Sequence, residues 1–174
     1  MIICISGLSG SGKTTISDLL AKELKIKHVS RSYKEFASEG KELRNFVKNV
    51  KTSFDKSFDK EIIDEAKKSD SVVSTWLGPW IIKDSTLNVW LNASFEARVK
   101  RKAKDLGISL EEAKKHVIER DNMWPNHIKE AYGIDIVKDH DVFDVELNTD
   151  RLTKEQLVAA IAMISLEKEK KDFR

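Results

Sequence analysis

Five short apolar runs recur along the chain: IICIS (2–6), KHVS (27–30), SVVST (71–75), LNVWL (87–91) and VFDVEL (142–147). Stretches with helical spacing separate them. Runs rich in β-branched residues suit strands covered on both faces, so the pattern predicts an α/β fold, a five-stranded parallel sheet with helices on both sides. TISDLLAKEL sets Ile16, Leu19, Leu20 and Leu24 at helical spacing, and SFEARVKRKAK opens with Ser94 and Glu96. Both read as helices. Residues 33–69 are strongly charged, with Phe36, Leu43, Phe46, Val47, Phe54, Phe58, Ile62 and Ile63 at helical positions. They predict several helices inserted between the second and third strands, and a substrate-covering insertion over about 31–69. A second excursion, about 102–135, has the capping-box pair Ser109 and Glu112 and then the breaker Trp124-Pro125-Asn126, and reads as a short lid. A last helix starts near Thr153, with Gln156 three residues on, and ends in the solvated run EKEKKDFR.

The length of 174 residues is that of one domain. Lys plus Arg (31) and Asp plus Glu (29) nearly cancel to +2, so there is no basic field of the kind that holds nucleic acid, and any anion site must be local. The single cysteine, Cys4, sits in an apolar run and reads as a buried thiol in a reducing compartment. With no run of about 18 apolar residues, the expectation is a cytoplasmic protein without membrane contact.

The first strand is followed by Gly7-Leu8-Ser9-Gly10-Ser11-Gly12-Lys13-Thr14-Thr15, a complete GxxxxGK[ST] phosphate loop between a strand and a helix. Glycines let backbone N–H groups turn inward around phosphates, and the helix presents its positive end there. Lys13 reaches the terminal phosphates and the Thr14 hydroxyl is placed to ligate Mg²⁺. No Asn-Lys-x-Asp or Asp-x-x-Gly string occurs, which argues against a GTP-binding switch. The third strand ends in Ser-Thr rather than Asp, which argues against a motor-type ATPase. A small phosphotransferase, with mobile helical segments closing over donor and acceptor, fits what is left.

Together with ISGLSGSGKTTISDLLAKEL, the segments HVS, VWLNASFEARVKRKAK, YGIDI and VFDVELNTDRLTKEQLV make the chain resemble the nucleoside monophosphate kinases, most closely the archaeal type of cytidylate kinase. The resemblance runs nearly end to end. It implies that Gly7 through Thr15 bind ATP with Mg²⁺ on Thr14, that lid-region arginines stabilise the moving phosphoryl, and that a separate pocket takes CMP. Arg101 is the first candidate for the phosphates, ahead of Arg98 on the same helix, and Arg120 has the same role at the far hinge of the lid. The acceptor would be a small phosphorylated molecule, CMP or dCMP by default, and the assembly a monomer or weak dimer.

On the acceptor side the chain departs from the family. Ser30-Arg31-Ser32-Tyr33-Lys34 stands where Gly-Asp and a nearby Arg are expected, and Ser74-Thr75-Trp76 where Glu-Gly-Arg is expected. Asp121 through Ile128 replaces an arginine-rich run. Trp offers none of the planar, bidentate donors that Arg gives a phosphate. Arg31, Ser74, Trp76, Arg120 and His127 are the substrate-binding candidates, with Lys34 and Arg44 as further replacement cations. Trp80 and Trp90 read as core. For Trp76 and Trp124, pocket wall and core packing both stand open. An acceptor alcohol would need a base, for which Asp121 is the candidate; an acceptor phosphate would not. The altered pocket leaves room for two other readings: a kinase of the same fold acting on a non-nucleotide such as mevalonate 3-phosphate, and an ATP-binding regulator without turnover.

Overall fold

The run Ile2–Ser6 forms strand β1 at the centre of a five-stranded parallel sheet, in a computed structural model that describes residues 1–38 and 41–172. In chain order the elements are β1, α1 (Lys13–Leu24), β2 (Lys27–Val29), α2 (Lys41–Asn49), α3 (Thr52–Ala66), β3 (Ser71–Ser74), α4 (Gly78–Ile81), β4 (Leu87–Asn92), α5 (Phe95–Leu106), α6 (Leu110–Tyr132), β5 (Val145–Asn148) and α7 (Lys154–Asp172). The sheet order is β2-β3-β1-β4-β5, with Ile5 beside Ser74 on one flank and Val89 on the other.

Alternate residues of β1 serve opposite faces, as the two-residue period of a strand requires. Ile3 and Ile5 join Ile16 and Leu20 of α1 and Leu157 and Ile161 of α7, while Ile2 and Cys4 face Leu43, Val47, Phe58 and Ile62 of the inserted helices. Each fully buried aliphatic side chain contributes about 1.5–3 kcal/mol. Two-sided burial therefore holds the middle strands firmly, and their carboxyl ends make a rigid floor. From β1 the chain passes through α1 to the edge strand β2, returns to β3 beside β1, and then crosses to β4 on the other side, so the crevice at the carboxyl end of β1 is the switch point where α/β sheets bind ligands. The phosphate loop lies there.

Helix caps match the sequence at three places: Ser94 on Ala97 N–H, the Ser109–Glu112 capping box, and Thr153 paired with Gln156. Trp124-Pro125-Asn126 does not break a helix. Pro125 lies inside α6, which runs 23 residues to Tyr132. Proline removes one helical hydrogen bond at a cost of about 3 kcal/mol. Burial of Ala113, Val117, Trp124 and Ile128 along α6 outweighs that loss. The second excursion is thus a helical hairpin of α5 and α6, with α6 reaching across to α2. Val142, expected in the fifth strand, belongs to a 3₁₀ turn instead, and β5 starts at Val145. No described helix is long and apolar enough to cross a membrane.

Candidate active site

The loop between β1 and α1 needs its glycines for two distinct reasons. Gly7 has φ +148°, and a Cβ there would stand 2.5 Å from Leu91 O, so the loop packs directly on β4. Gly12 has φ +102° with open space around it, so there the backbone conformation alone demands glycine. Lys13 Nζ donates to Gly7 O (2.5 Å) and Leu8 O (3.1 Å), and the ammonium lies 4.7 Å from the centroid of the Trp76 ring. Burial, then the neighbouring cations Arg120, Lys102 and Arg98, push the Lys13 pKa down to about 7, while Asp121 opposes them. A cluster of cations around a half-buried lysine has the charge to suit an anion.

One cavity of about 800 Å³ runs along the carboxyl edge of the sheet. Its donor half is lined by Ser9 through Ile16, Arg101, Thr149, Leu152 and Thr153. Its acceptor half is lined by Ser30 through Tyr33, Phe58, Asp59, Ser74 through Leu77, Arg120, Trp124, His127 and Tyr132. The two halves meet at Lys13 and Trp76.

The expected site residues fall into different places. Arg101 reaches over the outside of the phosphate loop: its guanidinium donates to Thr149 O (2.7 Å) and Thr149 Oγ1 (2.9 Å), with longer contacts to Gly10 O and Ser11 O. It lies against the phosphate loop, held by the turn after β5. Arg98, ranked below it from sequence, is buried, donates to Ser9 O (3.2 Å), and pairs with Asp121 at 2.7 Å. Burial raises the Asp121 carboxyl above its ordinary range, although Arg98 pulls the other way. Asp121 holds Arg98 and does not line the cavity, a poor position for a general base.

Arg31 lines the cavity but is fastened to Glu35 and Glu61, with its guanidinium 4.8 Å from the Phe58 ring centroid. Arg44 pairs with Glu119 at 2.6 Å, away from the cavity lining. The side chain of Lys34 lies outside the described residues. Ser74 lines the cavity with its Oγ 2.9 Å from His28 Nε2, and Asp18 lies on the other ring nitrogen. His28 is thereby a support for the pocket floor.

Trp124 is both core and wall. Its ring is buried, stacks on Trp76 at 6.3 Å, meets Tyr33 edge-on at 5.2 Å, and lies 5.4 Å below the Arg120 guanidinium. Trp80 and Trp90 are buried beside Phe143, as expected of core. His127 Nε2 lies 3.2 Å from Asp55 Oδ1, which also accepts from the Tyr33 hydroxyl. One turn along α3, Asp59 accepts from the Tyr132 hydroxyl. Burial first, and then the Asp55 charge, push the Asp59 pKa up to about 6 despite that bond.

Asp55, Asp59, Tyr132 and Lys102 were not singled out by the sequence reading. A signal existed for the two acids. They alternate with Phe58 and Ile62 on the apolar stripe of α3, where a charge has no place unless it is paired or used. For Lys102 the sequence held no signal, since it is one of many lysines on charged helices.

The donor half fits Mg²⁺ arriving with a polyphosphate. The Thr14 hydroxyl lines the cavity and makes no hydrogen bond among the described residues. No group of three or more acidic, His or Cys side chains occurs among the described residues to hold a metal by itself. Mg²⁺ keeps few protein ligands and takes the rest from phosphates and water, so one hydroxyl suffices.

The family model described as the cytidylate kinase-like family matches residues 2–151. The chain is 37% identical over 164 residues to the cytidylate kinase of Sulfurisphaera tokodaii, covering 90% of this chain and 91% of that one. It is 34% identical over 166 residues to the cytidylate kinase of Pyrococcus horikoshii, covering 92% and 86%. Among solved structures, the shikimate kinase of Acinetobacter baumannii in complex with shikimate superposes with TM-score 0.58 at 15% identity, over 95% of this chain and 93% of that one. A protein from Eubacterium ventriosum gives 0.63 at 18% identity, over 97% and 98%. These two likenesses establish the phosphate-loop kinase fold alone.

Proposed function

The chain belongs to the cytidylate kinase-like family, and on that footing we propose that it transfers the γ-phosphoryl group of ATP to a nucleoside monophosphate, CMP or dCMP first. The observation that carries this reading is the continuity of the cavity. A complete phosphate loop closes one end, an aromatic chamber built by α3, α6 and the turn after β3 closes the other, and Lys13 stands where they join.

Phosphoryl transfer needs positioning and charge stabilisation more than covalent chemistry. The loop N–H groups and Lys13 take the β- and γ-phosphates. Arg120 and Lys102, which face Lys13 from α6 and α5, add positive charge where the transferred group passes. Arg98 holds the loop through Ser9 O and holds α6 through Asp121, keeping those cations in register. Arg101 secures the donor end. An oxygen of the acceptor phosphate attacks the γ-phosphorus while the bond to the ADP oxygen breaks. That oxygen is already ionised, so no base is required and Asp121 is free to hold Arg98. Mg²⁺ bound with Thr14 would neutralise charge on the β- and γ-oxygens.

Missing family arginines on the acceptor side have partial substitutes: Arg31, Arg120 and His127 line that half of the cavity. ADP release from Mg²⁺-ATP, measured over nucleoside monophosphates and small phosphorylated metabolites, tests the reading. Turnover with CMP or dCMP is the expected result. Turnover confined to a non-nucleotide such as mevalonate 3-phosphate would overturn the acceptor assignment. Tight ATP binding with no turnover of any acceptor would overturn the enzyme in favour of a regulator.

A further inference from the structure

Transfer to an ionised acceptor phosphate needs no base, yet a base backs the acceptor half of the cavity. Ser74 lines that half, and its Oγ lies 2.9 Å from His28 Nε2. On the other side of the ring, His28 Nδ1 lies 3.2 Å from Asp18 Oδ1. A hydroxyl, an imidazole and a carboxylate in this order, each within hydrogen-bond reach of the next, form the relay that activates a serine as a nucleophile.

The carboxylate sets the direction of the relay. Hydrogen bonds with His28 first, and then with Lys22, hold the Asp18 carboxyl below its ordinary range, so it is ionised and can only accept. Nδ1 therefore donates to Asp18, and Nε2 keeps the lone pair that accepts the Ser74 O–H. The sheet places this hydroxyl beside the phosphate loop. Ser74 is paired with Ile5 at the end of β1, just before the loop, and Trp76, two residues after Ser74, lies against the Lys13 ammonium. Lys13, Thr14 and Ser74 line the same cavity.

We propose that Ser74, His28 and Asp18 give this protein a second activity, transfer of the γ-phosphoryl group of bound ATP to its own Ser74 when the acceptor half is empty. This rests on the reading that the phosphate loop holds ATP. Ser74 Oγ bonds to the γ-phosphorus while the bond from that phosphorus to the bridging oxygen of ADP breaks. ADP leaves with the electron pair, and His28 Nε2 takes the serine proton. Ser74 and His28 are the catalytic residues of this step. Asp18 is a positioning residue, which fixes the ring and stabilises the imidazolium that forms. The product is a phosphoserine of about −1.5 to −2 charge in the half that admits the acceptor, where it repels another anion.

The test is incubation of the protein with Mg²⁺-ATP and no acceptor, followed by intact-protein and peptide mass spectrometry. A gain of one phosphoryl group, about 80 Da, on Ser74 is expected. The rate per chain should not depend on protein concentration, since the transfer stays within one cavity. His28→Ala should slow labelling by about 100-fold, and added imidazoles should restore it in the order of their basicity. A ring that only braced the pocket floor would give no such order. Asp18→Asn changes a half-exposed side chain of α1 outside the core, and should slow labelling by about 10-fold or more. Wild type that binds Mg²⁺-ATP in calorimetry and stays unlabelled overturns the inference and leaves the donor reading standing. Labelling confined to another residue, or equally fast in both variants, overturns it too. No binding of Mg²⁺-ATP overturns the donor reading and this inference with it.

Discussion

The Lys13 ammonium lies 4.7 Å from the centroid of the Trp76 ring, at the point where donor and acceptor halves of the cavity join. The backbone before that ring is pinned to the end of β1, where Ser6 Oγ donates to Thr75 O at 2.8 Å. A residue without donors for phosphate thus packs against the lysine of the phosphate loop. A cation over an aromatic face gains about 0.5–2 kcal/mol. Trp76 also lines the acceptor half of the cavity, and Trp76→Ala, which removes an aromatic wall, is expected to raise the acceptor KM by about 10-fold. Steady-state kinetics checks this, and a KM within about 2-fold of wild type would remove Trp76 from the pocket.

Lys13 is held near pKa 7 by burial and by Arg120, Lys102 and Arg98. A bound triphosphate supplies the missing negative charge and raises that pKa, so binding should take up a fraction of a proton at about pH 7.5. Calorimetric titration with Mg²⁺-ATP in buffers of different ionisation enthalpy measures the uptake. Lys13→Met should abolish it and lower turnover by about 100-fold or more.

Arg98 and Asp121 pair at 2.7 Å, with the arginine side chain almost wholly enclosed. Removing one partner leaves the other charge buried and unpaired, so Arg98→Leu should destabilise by about 3 kcal/mol. Adding Asp121→Asn should recover part of the loss in a denaturant titration. Additive losses would mean that the pair is not coupled.

Gly7→Ala forces a Cβ to within 2.5 Å of Leu91 O on β4. A clash with the backbone of a buried strand should cost about 3 kcal/mol or more. Gly12→Ala meets no atom within 4 Å and carries only the strain of φ +102°, about 1–2 kcal/mol. The order of the two midpoints in thermal unfolding is the check.

Asp59 has its folded pKa raised from 3.8 to about 6, so the folded state binds the proton more tightly than the unfolded state does. Stability therefore falls as pH rises through that window, and the penalty is complete above about pH 6. Asp59→Asn should stabilise the free protein at pH 7–8 by about 1–3 kcal/mol, and the gain should vanish below about pH 4. Urea midpoints across that range measure it. A gain that persists unchanged at low pH would mean that the carboxylate charge is not its source.

Strand positions were legible because burial on both faces leaves an unbroken apolar run, as in Ile2–Ile5 and Val72–Val73. Caps at Ser94, Ser109 and Thr153 were legible because a cap is three or four residues long. Pro125 misled because its local penalty is smaller than what α6 gains by continuing and burying Ile128. Nothing local shows that Thr149 holds Arg101 and Asp121 holds Arg98.

The amino-acid sequence alone determined the phosphate loop, because nine contiguous residues carry both the glycine backbone and the lysine that the geometry requires. Only tertiary structure decided which cations surround Lys13, that Trp76 lies against it, and that Asp59 lines the acceptor chamber. Those relationships join α3, α5, α6 and the turn after β3 to the phosphate loop across long stretches of sequence, as between Lys13 and Arg120. They are fixed by how whole helix faces pack on the sheet, and no local pattern records that.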